Sequence, residues 1–265
     1  MSRTARRFVA LRRPSLPLNR PTIGWLTWPT VPGPSYLRVP CWPPPRRVAP
    51  RPLAPPDVGR LGVYGGTFDP VHRGHLAVAR SVREAFDLDC VLFIPARQSP
   101  LRAPPRASAN DRLAMVRRAI EGVPGLEVSA IDAERPGPSY MIDTLQSLAS
   151  QRPAAELFLI LGADALDELP AWRQAERILA AARIIAVPRP GHNTEIPNEV
   201  LALHPNADRR IHVHPMPPVD ISASRIRAQC ARRRPVDAWV PRAVAEYIAA
   251  HGLYAGDGTE PPGAI

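Results

Sequence analysis

The sequence has 265 residues, of which 45% are hydrophobic, and its formal net charge at pH 7 is +10. This length and hydrophobic fraction allow one large α/β domain or two small ones. All 34 basic residues are arginine, and the absence of lysine excludes Walker-type phosphate loops, kinase-type catalysis and Schiff-base chemistry, each of which needs a lysine.

The positive charge is concentrated at the N-terminus. Residues 1–57 contain ten arginines and one acid, Asp57, and so carry +9 of the total +10. The segment also holds fourteen prolines and shows no helical or strand period, which predicts a disordered Pro/Arg-rich leader. Three interpretations are open: a basic arm for nucleic acid, an organelle-targeting presequence, or an accessory or misassigned leader whose true start lies nearer Val58. We favour the third, because the rest of the chain is nearly neutral and argues against a nucleic-acid partner.

From residue 58 onward, short apolar runs alternate with amphipathic helical patterns, the order typical of parallel βαβ units. The predicted strands are Leu61–Tyr64, Cys90–Ile94, Leu126–Ala130, Leu157–Leu161, Arg183–Val187 and Ile211–His214. The predicted helices are His75–Phe86, Ser108–Glu121, Tyr140–Ser150, Trp172–Ala181, Ala223–Arg232 and Pro241–His251. We therefore predict an α/β fold, a Rossmann-like parallel sheet with helices on both faces and a small C-terminal helical part, over residues 58–254. Residues 255–265 form a Gly/Pro-rich tail that we expect to be loose.

The segment after the first predicted strand is the strongest functional signal. His72 and His75 lie three positions apart where an apolar strand turns into a helix, and Gly74 between them is expected to let the backbone bend. A helix N-terminus offers N–H groups and a positive dipole end to an anion, so phosphate is the expected ligand. The structural alternative is that one histidine caps the helix and the other packs on it. A zinc site is disfavoured, because the three cysteines show no CxxC spacing and the segment is not an HExxH helix.

Two later segments extend this interpretation. Gly162 and Asp164 follow the fourth predicted strand, and ligands of parallel sheets bind outside the carboxyl ends of the strands. Segment 221–227 combines two serines at a helix start with arginines a turn later, which suits a second anion. Alone, the first segment is explained as well by an ordinary strand-to-helix turn, and the second is explained better by ordinary helix capping with solvated arginines. Together with the histidine loop, they indicate a polyphosphate substrate.

These residues resemble the nucleotidylyltransferase superfamily, with its HxGH motif at His72–His75 and its later serine/arginine motif at Ile221–Arg227. More narrowly, the chain is similar to the bacterial nicotinate-nucleotide adenylyltransferase family over about residues 60–254. The narrower resemblance is carried by Gly65–Leu76, Arg112–Met115, Gly137–Leu145, Leu161–Asp164, Leu169–Trp172, Arg189–Gly191 and Val240–Tyr254. Met141 stands where family members commonly have threonine.

The resemblance implies transfer of an adenylyl group from ATP to nicotinate mononucleotide, which yields deamido-NAD and pyrophosphate in NAD biosynthesis. It implies Mg²⁺ carried by ATP and no metal-ligand cluster in the protein. The implied catalytic residues are His72, His75 and Arg227. The implied ATP-binding residues are Gly65, Gly66, Thr67, Phe68, Gly162, Asp164, Ile221, Ser222 and Ser224. The implied residues for the pyridine substrate are Ser139, Tyr140, Met141, Trp172 and Arg189.

Two alternatives to this function stay open. One is a related transferase whose acceptor is nicotinamide mononucleotide or phosphopantetheine. The other is a nucleic-acid-binding protein that uses the basic arm and has a degenerate nucleotide-binding body. We expect a cytoplasmic location, because unpaired cysteines fit a reducing compartment and no segment approaches the ~18 apolar residues of a membrane span. A homo-oligomer is also open.

Overall fold

The structure, a computed structural model, describes residues 59–188, 195–217 and 219–256. The predicted leader at 1–57 lies outside the described residues, as do Arg189 and all but the first two residues of the predicted tail.

Six parallel strands form one sheet in the order β3-β2-β1-β4-β5-β6. The strands are β1 (Arg60–Gly66), β2 (Cys90–Pro95), β3 (Leu126–Val128), β4 (Glu156–Gly162), β5 (Arg183–Val187) and β6 (Ile211–Val213). The strand order reverses between β1 and β4, and in open α/β sheets ligands bind at the carboxyl ends of the strands beside such a reversal. The predicted Rossmann-like sheet is therefore confirmed.

Ten helices connect or follow the strands within the described residues. They are α1 (Arg73–Ala85), α2 (Ala109–Ile120), α3 (Ile131–Glu134), α4 (Met141–Gln151), α5 (Ala163–Asp167), α6 (Ala175–Ala181), α7 (Asn198–Leu201), α8 (Ala207–Arg210), α9 (Ala223–Ala231) and α10 (Arg242–Ala250). A 3₁₀ turn, Leu169–Ala171, separates α5 from α6. Ser108 and Ser222 are the N-caps of α2 and α9, and each side-chain oxygen accepts a backbone N–H from the first turn of its helix. No helix among these residues combines the length and the apolar character that a bilayer crossing requires.

The hydrophobic core lies in two layers, one on each face of the sheet. In β2, Phe93 packs into one layer while the preceding Leu92 packs into the other, because successive side chains of a strand point to opposite faces. The first layer includes residues of α1, α2, α9 and α10, whereas the second includes residues of α4, α6, α7 and α8. Burial on both faces explains why the central strands read as continuous apolar runs in the sequence.

Two helix starts differ by more than one residue from the sequence-based predictions. Helix α1 begins at Arg73 rather than at His75. Helix α6 begins at Ala175 rather than at Trp172, because Gln174 has a left-handed backbone with φ of 56° and interrupts the helical path. Trp172 consequently lies in extended backbone after the 3₁₀ turn, with φ of −76° and ψ of 146°. The four-residue and five-residue helices were missed, since such short segments cannot display a helical period.

Candidate active site

A cavity of about 1210 Å³ opens at the carboxyl ends of the central strands. Its lining includes Gly65 and Gly66 at the end of β1 and Gly162 at the end of β4. Every candidate site residue named from the sequence lines this cavity except Arg189, which lies outside the described residues. The volume exceeds the roughly 300–1,000 Å³ typical of a site for one drug-sized ligand, so the cavity has room for a larger ligand or for more than one.

The two histidines lie side by side at the start of α1. His72 is the N-cap residue, with extended backbone and 7% exposure, and its ring stacks on that of His75 with centroids 3.7 Å apart. The backbone N–H of His72 donates to Nδ1 of His75 over 3.2 Å. A neutral His75 must therefore carry its proton on Nε2, which makes that atom a hydrogen-bond donor.

Gly74 has a different role from the one inferred from the sequence. It lies inside the first turn of α1, so the backbone does not bend there. A Cβ atom at Gly74 would lie 3.0 Å from Nδ1 and 3.1 Å from Cε1 of His72. Glycine is thus favoured here, because a Cβ atom would press on the His72 ring, which would have to shift by a few tenths of an ångström.

The His75 ring is supported from behind by aromatic residues. Phe68 is 3% exposed, and its ring meets the His75 ring edge to face with centroids 5.0 Å apart. Tyr64, which sequence reasoning did not single out, packs against Phe68 at 5.5 Å and against His75 at 6.2 Å. Edge-to-face contacts of this kind fix ring orientation, so Phe68 and Tyr64 hold His75 in place.

Arg227 joins the late serine/arginine segment to the histidine loop. Its Nη1 donates to the backbone carbonyl of Asp69 over 2.7 Å, and its Nη2 lies 3.3 Å from Ser224 Oγ. The same Nη1 is 4.0 Å from the Asp69 carboxylate. A guanidinium has five N–H donors, so these bonds leave others for a bound anion. The two segments that the sequence separates by about 150 positions therefore meet at one wall of the cavity.

The Asp69 carboxylate is a buried hub that sequence reasoning missed. It accepts hydrogen bonds from the backbone N–H groups of Arg106 (2.8 Å) and Ala107 (3.1 Å) and from the Tyr254 hydroxyl (2.7 Å). Burial raises the pKa of the Tyr254 phenol, and its hydrogen bond to Asp69 raises that pKa further. Asp69 thereby ties the histidine loop both to the segment before α2 and to the end of the described chain.

Arg112 provides a second buried tie. Its side chain donates to the backbone carbonyls of Thr67 (2.8 Å), Ala96, Arg97 (2.9 Å) and Ala107 (3.2 Å). The residue is 1% exposed, and this burial lowers the pKa of the guanidinium, an effect that the nearby Asp69 charge opposes. The loops that follow β1 and β2 are thus held together by one cation, whose hydrogen bonds in the described part of the chain go to main-chain oxygens.

An ion pair crosses the cavity. Arg102 lies in the loop between β2 and α2, and its Nη2 is 2.9 Å from Glu168 Oε2 and 3.9 Å from Asp164 Oδ2. All three residues line the cavity, and both acids follow β4. Asp164, the candidate for adenosine contact, therefore already lies beside a cation.

One part of the cavity lining consists of aromatic and apolar side chains, which we call the aromatic end. Tyr140 is the N-cap residue of α4, Met141 begins that helix, and Trp172 faces the same space from the segment before α6. Ser139 fastens this wall to the loop after β2, because its Oγ accepts the Arg97 N–H over 2.9 Å. Arg173 also lines this part of the cavity. It was not identified from the sequence, where it falls inside the helix predicted from Trp172.

Comparison with known proteins agrees with this geometry. The cytidylyltransferase-like family matches residues 63–229. A probable nicotinate-nucleotide adenylyltransferase of Roseiflexus sp. (strain RS-1) is 47% identical over 199 residues, which are 73% of this chain and 97% of the relative. One of Gloeobacter violaceus (strain ATCC 29082 / PCC 7421) is 44% identical over 201 residues, which are 74% of this chain and 96% of the relative.

Solved structures show the same fold at lower sequence identity. A nicotinic acid mononucleotide adenylyltransferase of Plasmodium falciparum complexed with NaAD aligns with a TM-score of 0.61 at 17% identity, over 74% of this chain and 97% of that chain. The sequence matches have 47% and 44% identity and cover nearly the whole length of these relatives. They show that the chain belongs to the nicotinate-nucleotide adenylyltransferase family.

Proposed function

We propose that this protein transfers the adenylyl group of ATP to the 5′-phosphate of nicotinate mononucleotide. An oxygen of the acceptor phosphate forms a bond to the α-phosphorus of ATP, and the bond from that phosphorus to the α–β bridging oxygen breaks. The products are deamido-NAD and pyrophosphate. The single observation that carries this proposal is the meeting of the stacked histidines with Arg227 at one wall of a cavity with room for more than one ligand.

The chemistry needs no protein nucleophile, because acceptor and leaving group both belong to the substrates. Catalysis is then a matter of position and of charge stabilisation at the α-phosphorus. His75 would present Nε2–H to the triphosphate, since its Nδ1 accepts the His72 backbone N–H. His72 would act from the N-cap position of the same helix, where the positive end of the dipole favours an anion.

The departing pyrophosphate would lie against the start of α9. There, Ser222, Ser224 and Arg227 line the cavity, and their hydroxyl, guanidinium and backbone N–H groups suit the β- and γ-phosphates. Mg²⁺ would enter with ATP and neutralise phosphate charge. The described part of the chain has no group of three His, Cys, Asp or Glu side chains arranged to hold a metal ion. Phosphate oxygens and water would therefore supply most of its ligands, as Mg²⁺ prefers.

The remaining lining residues divide between the two nucleotides. Gly65, Gly66, Thr67 and Ile221 would flank the phosphates, and Gly162 with Asp164 would contact adenosine. The aromatic end formed by Tyr140, Met141 and Trp172, with Ser139 behind it, suits a flat pyridine ring.

The catalytic assignment is tested by replacing His75 with alanine. We expect kcat to fall about 10²-fold or more, the scale of losing one preorganised donor. His251→Ala is the matched control, because His251 is exposed at the end of α10 and does not line the cavity. Wild-type turnover in His75→Ala would refute the assigned role.

The acceptor is tested by measuring pyrophosphate release with ATP and, in turn, nicotinate mononucleotide, nicotinamide mononucleotide and phosphopantetheine. We expect nicotinate mononucleotide to give the highest kcat/KM. A higher value with another acceptor refutes the substrate, and no release with any of them refutes the reaction. A cytoplasmic location and a homo-oligomeric state stay predictions from the sequence.

A further inference from the structure

Arg173 is a cation at the aromatic end of the cavity. It directly follows Trp172 and lines the same space as Tyr140 and Met141. Its guanidinium carbon lies 4.7 Å from the centroid of the Tyr140 ring, within the range of a cation–π contact. Stacking on this ring keeps the charge at the wall that a flat substrate would meet.

A second contact fixes the direction of the Arg173 side chain. Its Nη1 lies 3.8 Å from Asp143, a carboxylate in the first turn of α4. The guanidinium is therefore held between the face of Tyr140 and the N-terminal turn of α4. With its side chain 52% exposed, it sits at the rim of the cavity and has N–H groups beyond those facing Asp143.

Two other charged residues near this turn, Asp132 and Arg135, are engaged with each other. Asp132 is buried and accepts hydrogen bonds from Thr144 (2.6 Å) and Arg135 (3.0 Å). Asp143 would repel an anion at the start of α4, and Arg173 is the cation paired with it. Arg173 therefore makes the field in this part of the cavity more favourable to a ligand that places negative charge there.

We propose that Arg173 is a specificity-determining residue, which favours an acceptor whose pyridine ring carries a carboxylate over one that carries a carboxamide. The inference rests on the proposed function. The two acceptors differ by one negative charge on groups of similar size, so a cation at the ring-binding end discriminates between them through charge, whereas aromatic stacking does not. The contribution acts on binding of the ring rather than on the chemistry at the reacting phosphorus.

The test compares steady-state kinetics of Arg173→Gln with wild type, using nicotinate mononucleotide and nicotinamide mononucleotide as acceptors. We expect KM for the nicotinate substrate to rise about fivefold, the scale of a partly exposed ion pair, with kcat nearly unchanged. KM and kcat for the nicotinamide substrate should stay within twofold of the wild-type values. Arg173→Lys should keep most of the preference for the nicotinate substrate. Arg177→Gln is the matched control, because Arg177 lies about one helical turn further on, is exposed, and donates to Gln174 rather than lining the cavity.

A double substitution separates direct action from neutralisation of Asp143. If Arg173 only cancels that carboxylate, Asp143→Asn in the Arg173→Gln background restores the wild-type preference, which overturns the inference. We expect the double variant to keep a lower preference than Asp143→Asn alone. An unchanged preference in Arg173→Gln, or an equal fall in Arg177→Gln, also overturns it while leaving the proposed function intact. A wild-type protein inactive with both acceptors overturns both proposals.

Discussion

Replacing Arg112 with methionine removes a positive charge that is buried in the protein and almost fully shielded from solvent. The guanidinium is 1% exposed and donates to four backbone carbonyls, those of Thr67, Ala96, Arg97 and Ala107. Each carbonyl left without a donor costs about 1–3 kcal/mol if it stays buried. Water entering from the cavity and the relieved desolvation of the cation offset part of this sum. Four lost hydrogen bonds at this scale sum to about 4–12 kcal/mol, and with these offsets we expect a net loss of about 3–5 kcal/mol.

The assay is urea unfolding followed by circular dichroism at pH 7.5. Arg117→Met is the matched control, because Arg117 lies on the exposed face of the same helix. We expect the control to change the free energy of unfolding by less than about 0.5 kcal/mol, as surface substitutions usually do. If Arg112→Met loses less than about 1 kcal/mol relative to Arg117→Met, the buried guanidinium does not hold the loops as the contacts indicate.

Two further predictions test the local geometry. Alanine normally stabilises a helix interior by about 1 kcal/mol relative to glycine. Gly74→Ala should nevertheless lower kcat about tenfold or more, because the new Cβ pushes the His72 ring out of position. An unchanged kcat in steady-state assays would contradict this prediction. Burial lowers the pKa of the His214 imidazole below its ordinary value of 6.5. The unfolded chain therefore takes up the proton first, and stability should fall as pH drops below about 6.5 and level off below the folded pKa. In urea unfolding at pH 7.5 and 5.5, His214→Gln should lose less stability than wild type, and equal losses would show that this histidine is not responsible.

The sheet was predictable because each strand carries its own signal. Strand β5 was placed at the observed bounds, Arg183–Val187, and the other strands were placed to within two residues at each end. Continuous apolar runs between helical patterns leave few alternatives to a parallel sheet. Strand ends are less certain, because hydrogen bonding to a neighbour rather than the residue type decides where pairing stops. Strand β1, for example, continues through Gly65 and Gly66, whose partners are in β2.

The candidate site was predictable where its functional residues lie close together in the sequence. His72 and His75 form a motif within one loop, and Ser222 with Arg227 forms another, so both could be recognised without coordinates. Their common location followed from the position of each segment after a strand.

The supporting residues were not predictable in the same way. Asp69 and Arg112 act through hydrogen bonds to backbone groups from distant segments. No local pattern marks a carboxylate or guanidinium whose partners are main-chain atoms far along the sequence. Arg173 was not singled out because it fell inside the helix predicted from Trp172. In the structure, the left-handed Gln174 delays the helix start by three residues, to Ala175.

The hydrogen bonds from Arg112 to the loops after β1 and β2 have an evolutionary consequence. Within the described residues, the hydrogen bonds that it donates all end on peptide oxygens, a group that all twenty amino acids supply. The side chains at positions 67, 96, 97 and 107 can thus be exchanged by mutation while the hydrogen bonds from Arg112 to their backbone oxygens persist. A lineage carrying this arginine can change which molecules it accepts without first rebuilding its scaffold.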